Sequence, residues 1–150
     1  MKGLKFIAVA IVLLTAFTAC NDDNVYEEKW YVQDFEVVSS DWRLVGQPGE
    51  VGSYYEYVFD KVPLEVSYYQ GIVTAYMYFN YKGNNEVQTP LPYTEYYVET
   101  NTANEEVNYS IQYSYDVMAD GRIAFRAIVS DYYTQYFNPG TQYFRVAIIW

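Results

Sequence analysis

Residues 107–117 alternate apolar and polar side chains without a break, and this run constrains the fold more than any other. Its apolar members are Val107, Tyr109, Ile111, Tyr113, Tyr115 and Val117. A period of two is the spacing of a strand with one buried face and one wet face. Asp120-Gly121 follows and can supply the left-handed backbone of a tight turn. Residues 123–129 then resume the alternation, so the sequence predicts a β-hairpin.

The rest of the chain from residue 31 onward also consists of short runs with strand periodicity. Strands are predicted over residues 31–39, 54–59, 72–79, 95–99 and 141–150, with a short edge strand over 64–66. Pro90 and Pro92 restrict residues 86–93 to a sheet edge or a crossing between sheets. No stretch has helical spacing. The pattern predicts an all-β fold, a two-sheet antiparallel β-sandwich of the immunoglobulin-like sort, with an up-and-down β-barrel as the alternative.

The first nineteen residues have the composition of a secretory signal peptide. Lys2 and Lys5 give a positive start, residues 6–19 form an almost unbroken apolar run, and small side chains precede Cys20. As a helix, the apolar run would span roughly 21 Å at about 1.5 Å per residue. That is short of the ~30 Å hydrocarbon thickness of a bilayer, so a permanent transmembrane helix is not expected.

Phe17-Thr18-Ala19-Cys20 resembles the lipobox of bacterial lipoproteins, with phenylalanine where leucine is usual. The resemblance implies cleavage before Cys20, a diacylglycerol on its thiol and, in most such proteins, a third acyl chain on the new amino terminus. Two or more chains give stable membrane anchoring. An ordinary signal-peptide site that releases a soluble protein with a free thiol is the alternative. Cys20 is the only cysteine in the chain.

Residues 20–24 resemble the surface-export signal of lipoproteins in the Bacteroidota, with a generic hydrophilic spacer as the alternative. The whole chain resembles the small exported lipoproteins of that phylum whose function is unknown. The likeness is carried by Asp41-Trp42, residues 89–93 and residues 143–149. It implies an envelope location, lipid-anchored in the outer membrane, on either the periplasmic or the surface side. The predicted organisation is a signal peptide (1–19), a lipidated cysteine with a flexible acidic tether (20–30) and one β-domain (31–150).

Charge and residue usage exclude several functions. Cleavage before Cys20 leaves 7 basic against 19 acidic side chains, a net charge of −12. Such a surface repels phosphate backbones, so nucleic acid is not an expected partner. Histidine is absent, which removes the usual general base and the commonest metal ligand. No nucleotide, cofactor or metal motif is present, so no cofactor is expected. A carboxylate pair for glycoside hydrolysis is the one catalytic arrangement left open.

The 20 tyrosines suggest where a ligand would bind. Aromatic faces stack on sugars and peptide segments at small entropic cost. The candidate platform is the loop that carries Tyr132, Tyr133, Tyr136 and Phe137. The alternative is that this loop folds back and closes the core. Trp30 and Trp42 are expected in core or rim packing.

Charged side chains near the predicted hairpin offer two weaker candidates. Arg122 and Arg126 lie on one face of the return strand, where a ladder with Asp116 or Asp131 is expected and anion binding is the alternative. Calcium at Asp120 or Asp131 has no supporting motif.

Three functions are compatible with these features. The first is a lipid-anchored, non-catalytic domain that binds polysaccharide or an envelope protein. The second is a structural or accessory subunit of an envelope assembly, in which exposed strand edges pair with a neighbour. The third, and the least favoured, is a small carbohydrate-active enzyme.

Overall fold

The computed structural model describes residues 29–60, 71–100, 103–132, 134 and 137–149. Within these ranges the chain forms nine strands and two short 3-10 helices. The strands are β1 (Trp30–Val37), β2 (Arg43–Val45), β3 (Tyr54–Phe59), β4 (Ile72–Phe79), β5 (Val87–Pro90), β6 (Tyr93–Thr100), β7 (Glu106–Val117), β8 (Ile123–Val129) and β9 (Gln142–Ile149). The 3-10 helices are η1 (Ser39–Asp41) and η2 (Ser130–Tyr132). The predicted strand over residues 64–66 lies outside the described residues.

The strands form two antiparallel sheets that do not close into a barrel. The four-stranded sheet has the order β1-β9-β4-β5, and the five-stranded sheet has the order β2-β3-β8-β7-β6. The predicted two-sheet antiparallel sandwich is therefore confirmed, and the barrel alternative is not. No helix among the described residues is long and apolar enough to cross a membrane.

The predicted hairpin is present with the expected turn. β7 pairs with β8 from Ile111 opposite Val129 to Val117 opposite Ile123. Gly121 has φ +88°, and the Met118 amide donates to the Arg122 carbonyl at 2.8 Å. A side chain at position 121 would be strained at that φ, so glycine is required for the turn.

The proline-containing segment also behaves as its composition predicts. β5 is an edge strand that pairs only with β4 among the described strands, and it ends at Pro90. Leu91 is buried, and its amide donates to the Ala75 carbonyl at 2.9 Å as the chain crosses to the second sheet. The crossing is therefore tied to the core.

The core lies between the sheets and is joined by aromatic rings. Phe125 of β8 and Phe144 of β9 stack with centroids 4.2 Å apart and planes 10° apart, and neither ring is exposed. Phe35 contacts Phe59 edge-on at 4.2 Å. Trp42 packs on Phe144 at 6.2 Å and donates its Nε1–H to the Gly140 carbonyl at 2.9 Å. These contacts connect both sheets and the loop before β9.

Candidate functional site

The predicted aromatic loop is only partly described. Phe137 is half-buried, packs against the core and meets Tyr55 edge-on at 6.1 Å. Tyr132 is half-buried and has φ +54°. Tyr133 and Tyr136 lie outside the described residues. The position of Phe137 fits a loop that closes the core, whereas binding by the four aromatic residues stays a prediction.

Thr134 fastens this loop to the turn between β2 and β3. Its side chain is buried, and its hydroxyl accepts from the Gly49 amide at 3.1 Å and lies 2.9 Å from Ser53 Oγ. Tyr55 donates its hydroxyl to the Thr134 carbonyl at 2.8 Å. The loop is therefore held from both its side chain and its backbone.

The other sequence candidates are arranged as follows. Trp42 is buried as expected, but Trp30 is 73% exposed. Asp120 forms an ion pair with Arg122 at 2.8 Å in the hairpin turn. The side chain of Asp131 lies outside the described side chains. Among the described residues, no group of three or more acidic or sulfur side chains could hold a metal ion.

The expected ladder forms around Arg126 and is more buried than expected. Arg126 Nη1 lies 2.5 Å from Asp116, and its guanidinium covers the Tyr54 ring at 5.0 Å. Glu56 is only 6% exposed because Arg43 Nη2, at 2.7 Å, and Arg126 flank it. These four charges alternate in sign across four strands, so they neutralise one another. Anion binding at Arg122 and Arg126 stays a prediction.

A second polar cluster lies on the outer face of the four-stranded sheet. Arg145 holds Asp34 through two hydrogen bonds of 2.7 and 3.1 Å, and Tyr78 donates to the same carboxylate at 2.9 Å. The hydrogen bond from Arg145 is the main reason that the pKa of Asp34 is lowered. Desolvation, followed by the bond to Asp34, raises the pKa of Tyr78 to about 12. The cluster is charge-balanced and serves to pin β1 to β9.

We expect Asp34→Asn to destabilise the fold by about 0.5 kcal/mol at neutral pH, since more than a third of this side chain is exposed and the pair is screened. A depressed folded-state pKa contributes stability above the unfolded pKa of about 3.9, and that stability is lost as pH falls through the folded pKa. Urea unfolding at pH 7 and in acid should therefore show a difference from wild type that shrinks as pH falls. A constant difference would contradict the assignment.

The five-stranded sheet has a two-stranded extension at one end. β7 pairs with β8 only from Ile111 onward, whereas it pairs with β6 along the whole length of β6. Residues 96–100 of β6 and 106–110 of β7 therefore extend past the end of β8, and we call this ribbon the arm. The Ser110 amide, at its base, donates to Ser130 Oγ at 2.9 Å.

One face of the arm is stabilised by its own aromatic pair. Tyr97 and Tyr109 stack with centroids 5.2 Å apart and planes 10° apart. The Tyr109 hydroxyl donates to Glu99 at 2.8 Å, and desolvation followed by this bond raises the pKa of Tyr109 to about 12. Desolvation, with a bond to Glu95 as the next cause, raises the pKa of Tyr97. The arm is thus ordered by contacts between its own two strands and by the packing of Tyr97 and Tyr109 against the core.

The other face of the arm exposes apolar surface. Tyr96 is 81% exposed and Val98 is 66% exposed. Beside them lies a shallow depression of about 250 Å³, lined in part by Asn108, Ser110 and Ser130. Pockets that enclose a small molecule are usually about 300–1,000 Å³ and deep. This surface is better suited to a partner that lies across it.

The outer edge of the arm is unpaired by any described strand. β6 is the last strand of its sheet and is eight residues long. Of the other edge strands, β2 and β5 have only three and four residues, and β5 also contains Pro90, whereas β1 is eight residues long like β6. Proteins normally blunt long apolar edges because these pair with other chains. β6 has the length and the exposed side chains that such pairing uses.

The arm is also acidic. No lysine or arginine occurs between Lys82 and Arg122, while Glu95, Glu99, Glu105 and Glu106 lie on or beside the arm. By register, Glu95 and Glu99 share the face of Tyr97, and Tyr96 and Val98 share the opposite face. A strand added to β6 therefore meets carboxylates on one side and apolar groups on the other.

The arm was not predicted from the sequence, although a signal for it is present there. The alternation of residues 107–117 is longer than the return strand of residues 123–129, so part of the first strand must extend beyond its partner. Residues 95–99 were predicted as a short strand without a position in a sheet. Only the register with β7 shows that they lie at the edge.

No protein-family model, curated protein or solved structure matches this chain. The fold and the arm define a class, a tyrosine-rich antiparallel β-sandwich with an exposed acidic edge ribbon. The function therefore has to be argued from the site.

Proposed function

We propose that this chain is an exported lipoprotein, anchored through Cys20, whose β-sandwich is a non-catalytic binding domain for a protein partner in the cell envelope or outside the cell. The partner contributes an extended strand that pairs with β6 and lengthens the five-stranded sheet. The observation that carries this proposal is the unpaired eight-residue edge on which Tyr96 and Val98 are 81% and 66% exposed.

Strand addition combines two kinds of recognition. Main-chain hydrogen bonds to the open edge supply affinity, and alternate side chains supply specificity. On the outer face, the partner's apolar side chains would pack on Tyr96 and Val98. On the other face, Glu95 and Glu99 favour lysine or arginine and oppose acidic side chains.

The same charges disfavour association of this chain with itself. A second copy would bring its own Glu95 and Glu99 to the interface, where they would repel the same carboxylates of the first copy. Each copy also carries a net charge of −12, so the two chains repel each other as a whole. A basic strand from another protein lacks both penalties. The proposal therefore names a heterologous partner with alternating basic and apolar residues.

A peptide titration tests the binding mode. The probe is a fluorescent eight-residue peptide in which valine alternates with lysine. The matched control peptide has glutamate in place of each lysine. We expect the lysine peptide to bind and the glutamate peptide to stay free in an anisotropy titration. Binding of the lysine peptide should weaken as salt is added.

Two matched variants locate the binding edge. Val98→Lys places a positive charge on the β6 edge. It should weaken binding of the lysine peptide at least about tenfold, equivalent to about 1.4 kcal/mol. Val87→Lys makes the same change on β5, one of the two edge strands of the other sheet, at a position 52% exposed, and should leave the affinity for the peptide unchanged. Equal binding of both peptides, or equal loss in both variants, would remove β6 as the site.

A polysaccharide that stacks on Tyr96 is the competing ligand, since this ring is the most exposed tyrosine face described. A glycan array with wild type and Tyr96→Ala separates the two ligands. Sugar binding that depends on Tyr96, together with no binding of either peptide, would favour the carbohydrate as the ligand. The anchor is tested separately, by labelling cells with an alkyne fatty acid and comparing wild type with Cys20→Ser.

A further inference from the structure

Large apolar side chains form a row across one end of the four-stranded sheet, on its outer face. Register places Trp30 of β1 opposite Ile149 of β9, which in turn lies opposite Ile72 of β4. Their exposures are 73%, 49% and 68%. The next row contains Val32, which is 43% exposed, with Ala147 and Thr74. We call these two rows the apolar face.

The apolar face has a sharp polar border. The third row begins with the Asp34–Arg145 ion pair, and Tyr78 beyond it is almost fully buried. Tyr81 covers Tyr78 and stacks on Tyr143 at 4.3 Å, so these rings are engaged with each other. Among the described strand residues on this outer face, the exposed large apolar side chains are therefore confined to the end of the sheet at which β1 begins.

This end of the sheet is also where the predicted tether reaches the domain. Cys20 precedes Trp30 by ten residues, which can span at most about 35 Å when extended. The apolar face therefore starts at the first residue of β1 and stays within reach of a membrane that holds the lipid of Cys20. A tether of this length keeps the local concentration of bilayer surface high.

The charge around the apolar face permits contact with neutral lipid. None of its six residues is ionisable, and along the strands of the sheet the first carboxylate beyond them, Asp34, is paired with Arg145. The chain as a whole carries a net charge of −12 after cleavage, so anionic headgroups would be repelled. Tryptophan and branched aliphatic side chains are the residues that favour the boundary between headgroups and acyl chains.

We propose that the apolar face rests on the zwitterionic phospholipid surface of the membrane that holds Cys20, with Trp30 at the interface. This inference rests on the lipid anchor of the proposed function and adds an orientation to it. The domain would not swing freely on its tether. It would lie with one end of the four-stranded sheet against the bilayer.

The orientation leaves the arm accessible. Phe79, at the end of β4 far from Ile72, contacts Tyr93 at 5.1 Å, and β6 continues from Tyr93 into the arm. Tyr115, at the opposite end of β7 from the arm, donates its hydroxyl to the carbonyl of Val73, the neighbour of Ile72. The arm and the apolar face therefore lie at opposite ends of the sandwich. Contact with the membrane at one end directs the arm away from it.

The test uses the chain from Cys20 onward, coupled through the cysteine thiol to a maleimide phospholipid in dioleoylphosphatidylcholine vesicles. Chemical coupling makes the result independent of whether cells lipidate Cys20. Tryptophan emission is compared in plain vesicles and in vesicles with brominated acyl chains, which quench a tryptophan at the interface. We expect wild type to be quenched, and Ile72→Glu and Trp30→Ser each to lose most of the quenching.

A matched control and a second readout make each outcome decisive. Val98→Glu makes the same change at nearly the same exposure, on the other sheet, and should be quenched like wild type. Circular dichroism checks that Ile72→Glu stays folded, and Trp30→Ser supplies the answer if it does not. Absence of quenching in wild type, or equal quenching in wild type and both apolar-face variants, would overturn the proposal. So would a dimer in sedimentation that Ile72→Glu dissociates, because the face would then be a contact between copies.

The outcomes for the anchor and for the membrane contact are separable. Quenching of coupled protein without fatty-acid label in cells would retain the contact surface and reject the anchor. Label in cells without quenching would retain the anchor and reject the contact.

Discussion

Phe144→Ala should reduce the free energy of unfolding by about 3–5 kcal/mol, the usual loss when a buried phenylalanine is truncated. Phe144 is fully buried in β9, which pairs with β1 on one side and β4 on the other. Its ring stacks on Phe125 of the opposite sheet and touches Trp42. The substitution would leave a cavity at the point where the two sheets meet.

This loss is a large fraction of the total free energy of unfolding, so it can be measured clearly. Small domains are stable by about 5–15 kcal/mol, so the variant would be marginally folded or unfolded at 37 °C. Urea unfolding followed by circular dichroism measures the loss. Ile149→Ala truncates a side chain in the same strand that is 49% exposed and should cost much less. Equal losses in the two variants would show that the ring contact does not organise the core.

Coupling between the two rings extends this prediction. Phe125→Ala should cost a similar amount, and the double variant should cost less than the sum, because both truncations open one shared cavity. Strict additivity would mean that the rings stabilise their sheets independently. The double-mutant cycle therefore tests the contact between sheets rather than burial alone.

Local features of the fold were predictable from the sequence. The hairpin of β7 and β8 follows from period two and from Asp120-Gly121, both of which act within a few residues. Pro90 correctly marked an edge strand, because proline cannot donate to a central ladder. Strand alternation also places Ala75 and Met77 on one face of β4, and both side chains are buried.

Features that depend on distant partners were not predictable. Nothing in the sequence of β9 says that it lies between β1 and β4, since period two is the same in a central and an edge strand. Tyr78 lies on the opposite face of its strand from Ala75 and Met77 but is also buried, because Tyr81 and Arg145 cover it from outside. Glu56 is buried for the same kind of reason, by arginines from two neighbouring strands.

The candidate site shows the same division. Its residues are ordinary strand formers, and their role comes from position: β6 has β7 on one side and no described strand on the other. Exposure of Trp30 could not be inferred either, because an aromatic residue at the start of a strand is equally consistent with rim packing. At the β6 edge and at Trp30, the sequence gives the type of side chain. The order of the strands in the sheets decides whether that side chain is exposed to solvent.

Alkaline pH should unfold this domain over a narrow range that begins near pH 10. A tyrosine whose folded-state pKa is raised contributes stability below the unfolded pKa of about 10, and that stability is lost as pH rises through the folded pKa. Desolvation is the main cause for Tyr78, with a pKa of about 12, and for Tyr113, which is buried beside Glu95. Several tyrosines share this direction, so their losses add. Absorbance at 295 nm and circular dichroism should therefore change together.

A sign reversal in one variant gives the sharpest form of this prediction. Tyr78→Phe loses the hydrogen bond to Asp34 and should be less stable than wild type by about 1 kcal/mol at pH 7. Above pH 10 it avoids the cost of keeping a phenol neutral, which is on the order of 2 kcal/mol for a pKa of about 12, so it should become the more stable protein. Tyr96→Phe, at a position 81% exposed, should follow wild type throughout, because its phenol is solvated in both states. If wild type is more stable than Tyr78→Phe both at pH 7 and above pH 10, burial of the phenol is not what links pH to stability.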